Sequence, residues 1–379
     1  MRKITLLLGL FCSTMLFAQE DQENTWFSKL QFSGSVDAYY RANINSINKF
    51  SDPDGNGLYM APGSSFANRP GFALGMVNTI LSYEGEKVGA VADLVFGSRG
   101  VDAVFNSTGN SSIVNQLYMY WNVSESVTLT VGNWNTFLGY EVISPVANFN
   151  YSTSYMFSYG PFSHTGLKAD FAFDDNWSAI LAVMNATDFT EFNPNGSYSF
   201  GGQLGYTSGA GSTFLNVLVG DQDGDYEDQN QPENNGTLFQ IDLTTGYDLT
   251  DSFYLGFNTT YNTTSLPNES DYDKVGFYGF ALYAQLALSN TFKLGVRPEY
   301  FSEFGAFGAI DQIGNPDFYD DGDANVFAVT LSGNVTIGGD LTLIPELRLD
   351  TASEDAFFDR DLESQKSLGS FVLAAVYSF

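Results

Sequence analysis

His164 is the only histidine of the chain, so it is the first residue to examine for catalysis. It directly follows Ser163, and a serine activated by a histidine is the nucleophile and base of many hydrolases. Adjacency in sequence does not by itself provide the geometry of such a pair. The chain shows no nucleophile motif and no phosphate-binding glycine loop. We therefore assign no catalytic residue and expect no enzyme; a lipase or protease would lose its activity on His164→Ala.

Acidic loops offer a second chemistry, the binding of a cation. Two loops place side-chain oxygens two residues apart around glycine; they carry Asp52, Asp54 and Asn56, and Asp221, Asp223 and Asp225. Calcium loops have this spacing, but Gly63 stands where the first loop would need its closing glutamate. A structural calcium ion is one expectation for these loops. Solvated acidic turns that hold no cofactor are the other.

Charged residues also recur at alternate positions within apolar segments. The eight that we single out are Arg41, Asp93, Lys168, Lys293, Arg297, Glu299, Glu346 and Arg348. In residues 341–350, every second position is instead leucine or proline, which forms an apolar stripe. The charges require water or partners, whereas the stripe suits lipid. We expect the charges either to set the ion selectivity of a water-filled interior or to pair and brace its wall.

The composition limits the class of protein. The chain has 44 Asp and Glu against 15 Lys and Arg, a formal net charge of −29. So acidic a chain repels nucleic acid and anionic membrane surfaces, and neither is an expected partner. Hydrophobic residues make up 44% and aromatic residues 16%. Disordered acidic chains are poor in aromatics, so that class is excluded.

The first residues have the order of a secretory signal peptide: a basic start, an apolar stretch and a small residue before polar ones. We assign 1–18 to the signal peptide, 19–29 to a short periplasmic segment and 30–379 to a β-barrel. Cys12, the only cysteine, lies in the signal peptide. The mature chain therefore has no disulfide to stabilise it.

The barrel is predicted because no later stretch has the roughly 18 apolar residues of a membrane helix, and a closed barrel is the other structure that spans a bilayer. Alternating segments predict about sixteen strands. They are 30–42, 72–85, 88–97, 113–123, 126–134, 165–174, 176–185, 199–207, 211–220, 236–248, 252–262, 275–288, 290–301, 324–337, 340–350 and 367–379. Pro298 and Pro345, which cannot donate to a strand ladder, are expected on the lipid face at bulges.

The connections between these strands alternate between short and long along the whole chain. Residues 124–125 and 208–210 are examples of the short ones, and 43–71 and 135–164 of the long ones. Bacterial barrels have short periplasmic turns and long extracellular loops. We therefore predict an all-β fold, a transmembrane antiparallel up-and-down β-barrel in the bacterial outer membrane, with lipid against its outer face.

The C-terminal segment has an apolar stripe at every second residue from Phe371 to Phe379. It resembles the signature that the outer-membrane assembly machinery recognises. That machinery is therefore an expected partner through Phe379.

Motifs in the first half of the chain resemble a known family. The segments 132–145, 148–155 and 160–166, with 68–72 and 92–97, are similar to the OmpL-like β-barrel porins of Bacteroidota. The rest of the chain matches in the rhythm of strands and loops. The resemblance implies an outer-membrane location and a porin function, and it specifies no solute.

The third long connection, 135–164, is the longest and the most aromatic. Its candidates for a pore constriction are Phe137, Tyr140, Glu141, Tyr151, Tyr155 and His164. Glu141 and His164 are its only ionisable side chains besides tyrosine, a composition unsuited to bulk water. We predict that this loop folds into the barrel and narrows the lumen. The alternative is an outward loop packed against its neighbours.

The predicted function is that of a porin for the passive diffusion of small hydrophilic solutes. A channel specific for sugars or apolar solutes, with the aromatic loop as a stacking surface, is one alternative. A non-conducting adhesion or structural barrel is another, although glycines and small polar residues on the inner faces favour an open lumen. The oligomeric state is left open, with a homotrimer expected by analogy with general porins.

Overall fold

The computed structural model describes residues 26–49, 59–64, 66–194, 196–222, 236–266, 271–310 and 322–379. Sixteen strands form one closed antiparallel barrel. They are β1 (Leu30–Asn43), β2 (Gly71–Glu84), β3 (Val88–Phe96), β4 (Val114–Asn122), β5 (Val127–Asn135), β6 (Ser163–Ala172), β7 (Trp177–Met184), β8 (Ser199–Thr207), β9 (Gly211–Asp221), β10 (Thr237–Thr250), β11 (Phe253–Ser265), β12 (Lys274–Ser289), β13 (Phe292–Phe304), β14 (Ala324–Ile337), β15 (Leu341–Ala352) and β18 (Ser367–Ser378). A small hairpin, β16 (Phe357–Phe358) and β17 (Ser364–Gln365), lies between β15 and β18 in sequence.

Each barrel strand pairs with the barrel strands before and after it, and the barrel closes between β1 and β18. Their register runs from Ser35 opposite Ser378 to Asn43 opposite Ser370. Beyond the register, Gly34 and Phe379 exchange two backbone hydrogen bonds of 3.0 Å. The closed sheet therefore has no unpaired edge.

Alternation along the strands separates a lipid face from an inner face. On β15, Leu347 and Leu349 are about half exposed, whereas Glu346, Arg348 and Asp350 between them are buried. An apolar outer face and a polar inner face are what a bilayer imposes on a barrel. The inner charges are buried because chain segments inside the barrel cover them.

The predicted strands agree with the observed ones to within three residues at every end, and two of them, 199–207 and 324–337, match at both ends. The expectation of bulges at Pro298 and Pro345 is wrong. The ladder lacks some pairs beside each proline, but the register continues unchanged past both. Each proline removes one donor and the strands absorb the loss without an extra residue.

Four of the long loops matter for the interior: L1 (44–70), L2 (97–113), L3 (136–162) and L4 (185–198). Two short helices lie in them, α1 (Ser98–Ala103) in L2 and α2 (Tyr155–Tyr159) in L3, and neither was predicted. L2 also ends in the 3-10 turn η2 (Gly109–Ile113), and η1 (Trp26–Lys29) precedes β1. No helix in the described part of the chain has the length and apolar character needed to cross a membrane.

Candidate functional site

Loop L3 lies inside the barrel, against the wall opposite the strands that it connects. It leaves β5 and returns in β6, and in the circular strand order β13 and β14 lie eight strands away from them. The side chains that it contacts there belong to the buried, charged face of β13 and β15. L3 therefore crosses the interior from one side to the other.

Two carboxylates of the opposite wall hold the middle of L3 through its backbone. Glu299 on β13 accepts hydrogen bonds from the N–H groups of Tyr155 (3.0 Å) and Met156 (2.9 Å). Glu346 on β15 accepts from the N–H groups of Tyr151 (2.7 Å) and Ser152. Hydrogen bonds to an ionised acceptor are roughly twice as strong as neutral ones. The two carboxylates thus replace the partners that a loop backbone would otherwise find in water.

Two arginines of the same wall complete this attachment. Arg297 forms a buried ion pair with Glu141 and donates to the carbonyl oxygen of Ser152 at 2.7 Å. Arg348 donates to the carbonyl oxygen of Thr153 at 2.7 Å and forms an ion pair with Asp350 at 2.9 Å. Removing one partner of a buried ion pair commonly costs about 3 to 5 kcal/mol, because the other charge is left uncompensated.

The tip of L3 reaches towards the short turns. The carbonyl oxygen of Phe149 accepts from Ser332 Oγ and Asn334 Nδ2, both at 2.9 Å. Both donors lie on β14, near the strand end that precedes the short turn 338–340. The tip therefore descends past the charged cluster along the inner wall.

Loops L1 and L2 cover L3 from the long-loop side. Arg99 of α1 donates to the carbonyl oxygens of Ile143 (2.9 Å) and Tyr151 (3.1 Å) and lies over the ring of Phe66 in L1 at 4.2 Å. Arg41 on β1 donates to Tyr59 and to the carbonyl oxygen of Met60. L2, L3 and the described residues of L1 thus form one packed body inside the long-loop half of the barrel.

The six candidates of the predicted loop 135–164 lie in different surroundings, five of them in L3 and His164 on β6. Tyr151 and Tyr155 are fully buried, with the Tyr151 hydroxyl donating to Asp37 at 2.5 Å. Tyr140 is half-buried and stacks on Tyr283 at 3.8 Å between ring centroids. Glu141 is bound to Arg297, so it contacts the wall rather than water. Phe137 is half-buried, with its ring 5.2 Å from that of His164.

His164 lies on β6, nine-tenths buried or more, and its Nε2 is 2.9 Å from Thr136 Oγ1. Within the described residues, its Nδ1 has no hydrogen-bond partner. Ser163 is also buried, and its backbone N–H bonds to Asp188. Among the residues that the structure describes, the Ser163 hydroxyl and the His164 imidazole form no hydrogen bond with each other.

Asp188 of L4 fixes the end of L3. One carboxylate oxygen accepts from the backbone N–H groups of Phe162 and Ser163, both at 2.8 Å. Burial raises the pKa of the Asp188 carboxyl to about 7, against the opposing effect of these two hydrogen bonds. Its backbone has a positive φ of 64°, a conformation that aspartate tolerates better than most residues.

The remaining predicted lumen charges lie on inner positions with different partners. Asp93 accepts from Asn78, Asn115 and Gln116 of neighbouring strands. Lys168 pairs with Asp170 at 2.8 Å, and Lys293 is exposed near a short turn.

The predicted calcium ligands mostly lie outside the described residues, as Asp52, Asp54, Asn56, Asp223 and Asp225 do. Asp221 lies at the end of β9. Across the described ranges, no group of three or more His, Cys, Asp or Glu side chains is placed to hold a metal ion.

Three contributors to the interior were not anticipated. Asp242 accepts from the backbone N–H of Gly139 at 3.0 Å, and its inward position in the alternation of β10 is a signal that would have found it. Arg99 and Asp188 lie in loops without periodicity, so no pattern marks them. Inner-wall glycines, taken as a sign of an open lumen, in several cases accommodate aromatic rings: a methyl group at Gly201 would come within 2.5 Å of Phe137.

Comparison with known proteins agrees with this architecture. The family model described as "Putative beta-barrel porin-2, OmpL-like" matches residues 29–379. No curated protein sequence matches the chain.

Solved structures of outer-membrane proteins share the fold at low sequence identity. OprB of Pseudomonas putida has a TM-score of 0.60 at 10% identity, covering 93% of this chain and 95% of its own. The outer membrane channel DcaP of Acinetobacter baumannii has a TM-score of 0.57 at 14% identity, covering 92% and 97%. OmpT of Vibrio cholerae lacking loop L8 has a TM-score of 0.56 at 11% identity, covering 92% and 99%.

Proposed function

Because the chain belongs to the OmpL-like beta-barrel porin-2 family and is an outer-membrane porin, we propose that it passes small hydrophilic solutes by diffusion through a lumen that L3 narrows. The observation that carries this proposal is the attachment of L3 to the opposite wall. L3 is held there by four buried charged side chains, so it fills part of the cross-section of the lumen. In a barrel without this loop, water would fill that part. The remaining passage is then set by L3 and the strands beside it.

The deletion of residues 142–158 tests the constriction. It removes the part of L3 that contacts β14 and β15 and, apart from Glu141, the part that is bound to the charged side chains of β13, so the passage should widen. Single-channel conductance in a planar bilayer should then rise severalfold over the wild-type value. Equal conductance for the two refolded proteins would rule out L3 as the narrowing element.

A finer test weakens the attachment without shortening the chain. The double variant Glu299→Gln, Glu346→Gln keeps the shape of both side chains but removes the charge that strengthens their bonds to the L3 backbone. We expect larger current fluctuations as L3 becomes mobile. Asp93→Asn is the matched control, because it neutralises a buried inner-face carboxylate on β3 that accepts hydrogen bonds from strand residues and not from L3.

We propose further that the protein performs no catalysis. The imidazole of His164 is buried against Thr136 and Phe137. A substrate cannot reach it there. The porin family and the barrel are those of a channel, and His164→Ala should leave it conducting. A wild-type barrel that is folded yet gives no current steps would favour the alternative of an adhesion or structural role.

A further inference from the structure

We propose that the periplasmic half of the lumen carries a binding site for neutral sugars, formed by aromatic rings that lie against inner-wall glycines; this rests on the proposed porin function. Four rings from β9, β11 and L3 lie against glycines of β8, β10, β11 and β13. A methyl group added at any of these glycines would come within 2.9 Å of its ring; the pairs are Gly205 with Phe214, Gly246 with Tyr254, Gly256 with Tyr140 and Gly295 with Phe149.

Contacts between the rings join most of them into one surface, which we call the aromatic belt (Phe214, Tyr254, Tyr140, Tyr283 and Phe149). The hydroxyl groups of Tyr254 and Tyr140 are 2.5 Å apart. Tyr140 stacks on Tyr283 with an interplanar angle of 17°, and Phe149 meets Tyr283 edge-on at 6.3 Å. The belt therefore follows the inner wall from β8 to β13.

The belt is open to the lumen on the side of the short turns. Phe214, Tyr254, Tyr140 and Phe149 are all half-buried, and Tyr283 is buried behind them. Phe214 and Tyr254 lie within four residues of the strand ends at the short turns. A solute in the periplasmic half of the barrel therefore meets the belt before it meets the charged attachment of L3.

The chemistry of the belt favours a neutral, ring-shaped solute with hydroxyl groups. A sugar ring presents C–H groups to an aromatic face and hydroxyl groups at its rim, and tyrosine has both an apolar body and a polar tip. Gln285 and Asn334 lie on the same inner face and supply amides for those hydroxyls. None of the five belt side chains is charged, and the ionised groups next to the belt, Asp248 near Tyr254 and Glu141 near Tyr140, are acids. An anionic solute would therefore lose hydration without gaining a counter-charge.

The test is block of single-channel current by maltohexaose, added to each side of the bilayer in turn. Polyethylene glycol of similar mass fills the lumen without offering sugar rings and is the comparison solute. We expect saturable block by maltohexaose only. The double variant Phe214→Ala, Tyr254→Ala should weaken this block about tenfold, whereas Tyr254→Phe, which keeps the ring, should not.

Phe239→Ala is the matched control, because that ring is partly exposed on the outer face of β10 and its loss should leave the block unchanged. Calorimetric titration of the same proteins in detergent measures sugar binding independently of ion conduction. Channel steps in salt with neither block nor binding would overturn the sugar site and leave the porin function intact. Binding without channel steps would support the site and overturn the function.

Discussion

At the scale of single residues, Asp188 links L4 to the end of L3 by a titratable contact. Its folded-state pKa of about 7 lies above the value near 3.9 of a free aspartate. We call the state in which Asp188 contacts Phe162 and Ser163 the closed form, and the state in which this contact is broken the open form. Between about pH 4 and pH 7 the Asp188 carboxyl is ionised in the open form and protonated in the closed form. The closed form therefore loses stability as the pH rises from about 4 to 7, by roughly 4 kcal/mol, and is not affected further above that.

Hydrogen exchange of the Phe162 and Ser163 amides checks this prediction. After correction for intrinsic exchange, their protection should fall between pH 4 and pH 7. Asp188→Asn is the matched control, because it keeps an oxygen acceptor for both N–H groups and cannot ionise. Its protection should be independent of pH and as high at pH 7 as that of the wild type at pH 4; a wild-type protection that does not change with pH would contradict the argument.

The inner charges could be predicted from the sequence, but their partners could not. Arg297 and Glu299 were singled out because a strand repeats every two residues, and two residues apart they share the inner face. Their bonds to Ser152, Tyr155 and Met156 depend on how an irregular loop folds across the barrel. No local pattern encodes that path. The sequence therefore left open whether these charges face solutes or pair to brace the wall, and it did not suggest that they hold L3.

At the scale of elements, Gly132 on β5 is a position where only glycine fits. Its φ is 129°, and an added methyl group would come within 2.2 Å of the carbonyl oxygen of Leu117 on β4. Gly132→Ala should therefore lower the free energy of unfolding by about 2 kcal/mol or more through strain and lost pairing. Urea unfolding in lipid vesicles, followed by tryptophan fluorescence, measures the change.

Gly202→Ala on β8 is the control for that prediction. A methyl group there would find no atom closer than 3.7 Å. It should be neutral or stabilise the barrel by up to about 1 kcal/mol, since alanine restricts the unfolded chain. Equal effects of the two substitutions would show that general loss of glycine, and not the geometry at Gly132, determines stability.

The strands were predictable because one face of each meets lipid, which forces a repeat of two over the whole segment. The helices α1 and α2 have five or six residues, fewer than two turns. Their helical form depends on burial against L1 and the wall rather than on any helical repeat. The positions of the loops in the sequence could therefore be predicted, whereas their conformations could not.

At the scale of the whole molecule, the balance of accessible charge is acidic. The arginines at the centre are buried and bound to carboxylates or backbone carbonyls. At the rim of short turns, the described exposed charges are mostly acids: Glu84, Glu86, Glu125, Asp174, Asp175, Asp248, Asp251 and Asp340, against Lys87 and Lys293. Such a rim concentrates cations at the mouth of the lumen.

We therefore expect a mild preference for cations, measured as the reversal potential across a bilayer in a tenfold gradient of potassium chloride. The preference should decrease in about 1 M salt, where the screening length is only about 3 Å. A preference for anions, or one that is insensitive to salt, would place the selective charges inside the lumen instead.

The homotrimer and the recognition of Phe379 by the outer-membrane assembly machinery stay predictions.

The seam between β1 and β18 has a consequence for the order of folding. Every other pair of neighbouring barrel strands is joined by a turn or loop, so its register can be found locally. The seam instead joins residues more than 300 positions apart, and contacts of such separation form slowly. The chain must therefore pass through a nearly complete sheet with two open edges, each able to accept a strand from another molecule. The lifetime of that open sheet, more than the stability of the closed one, decides whether a newly made chain becomes a barrel or an aggregate.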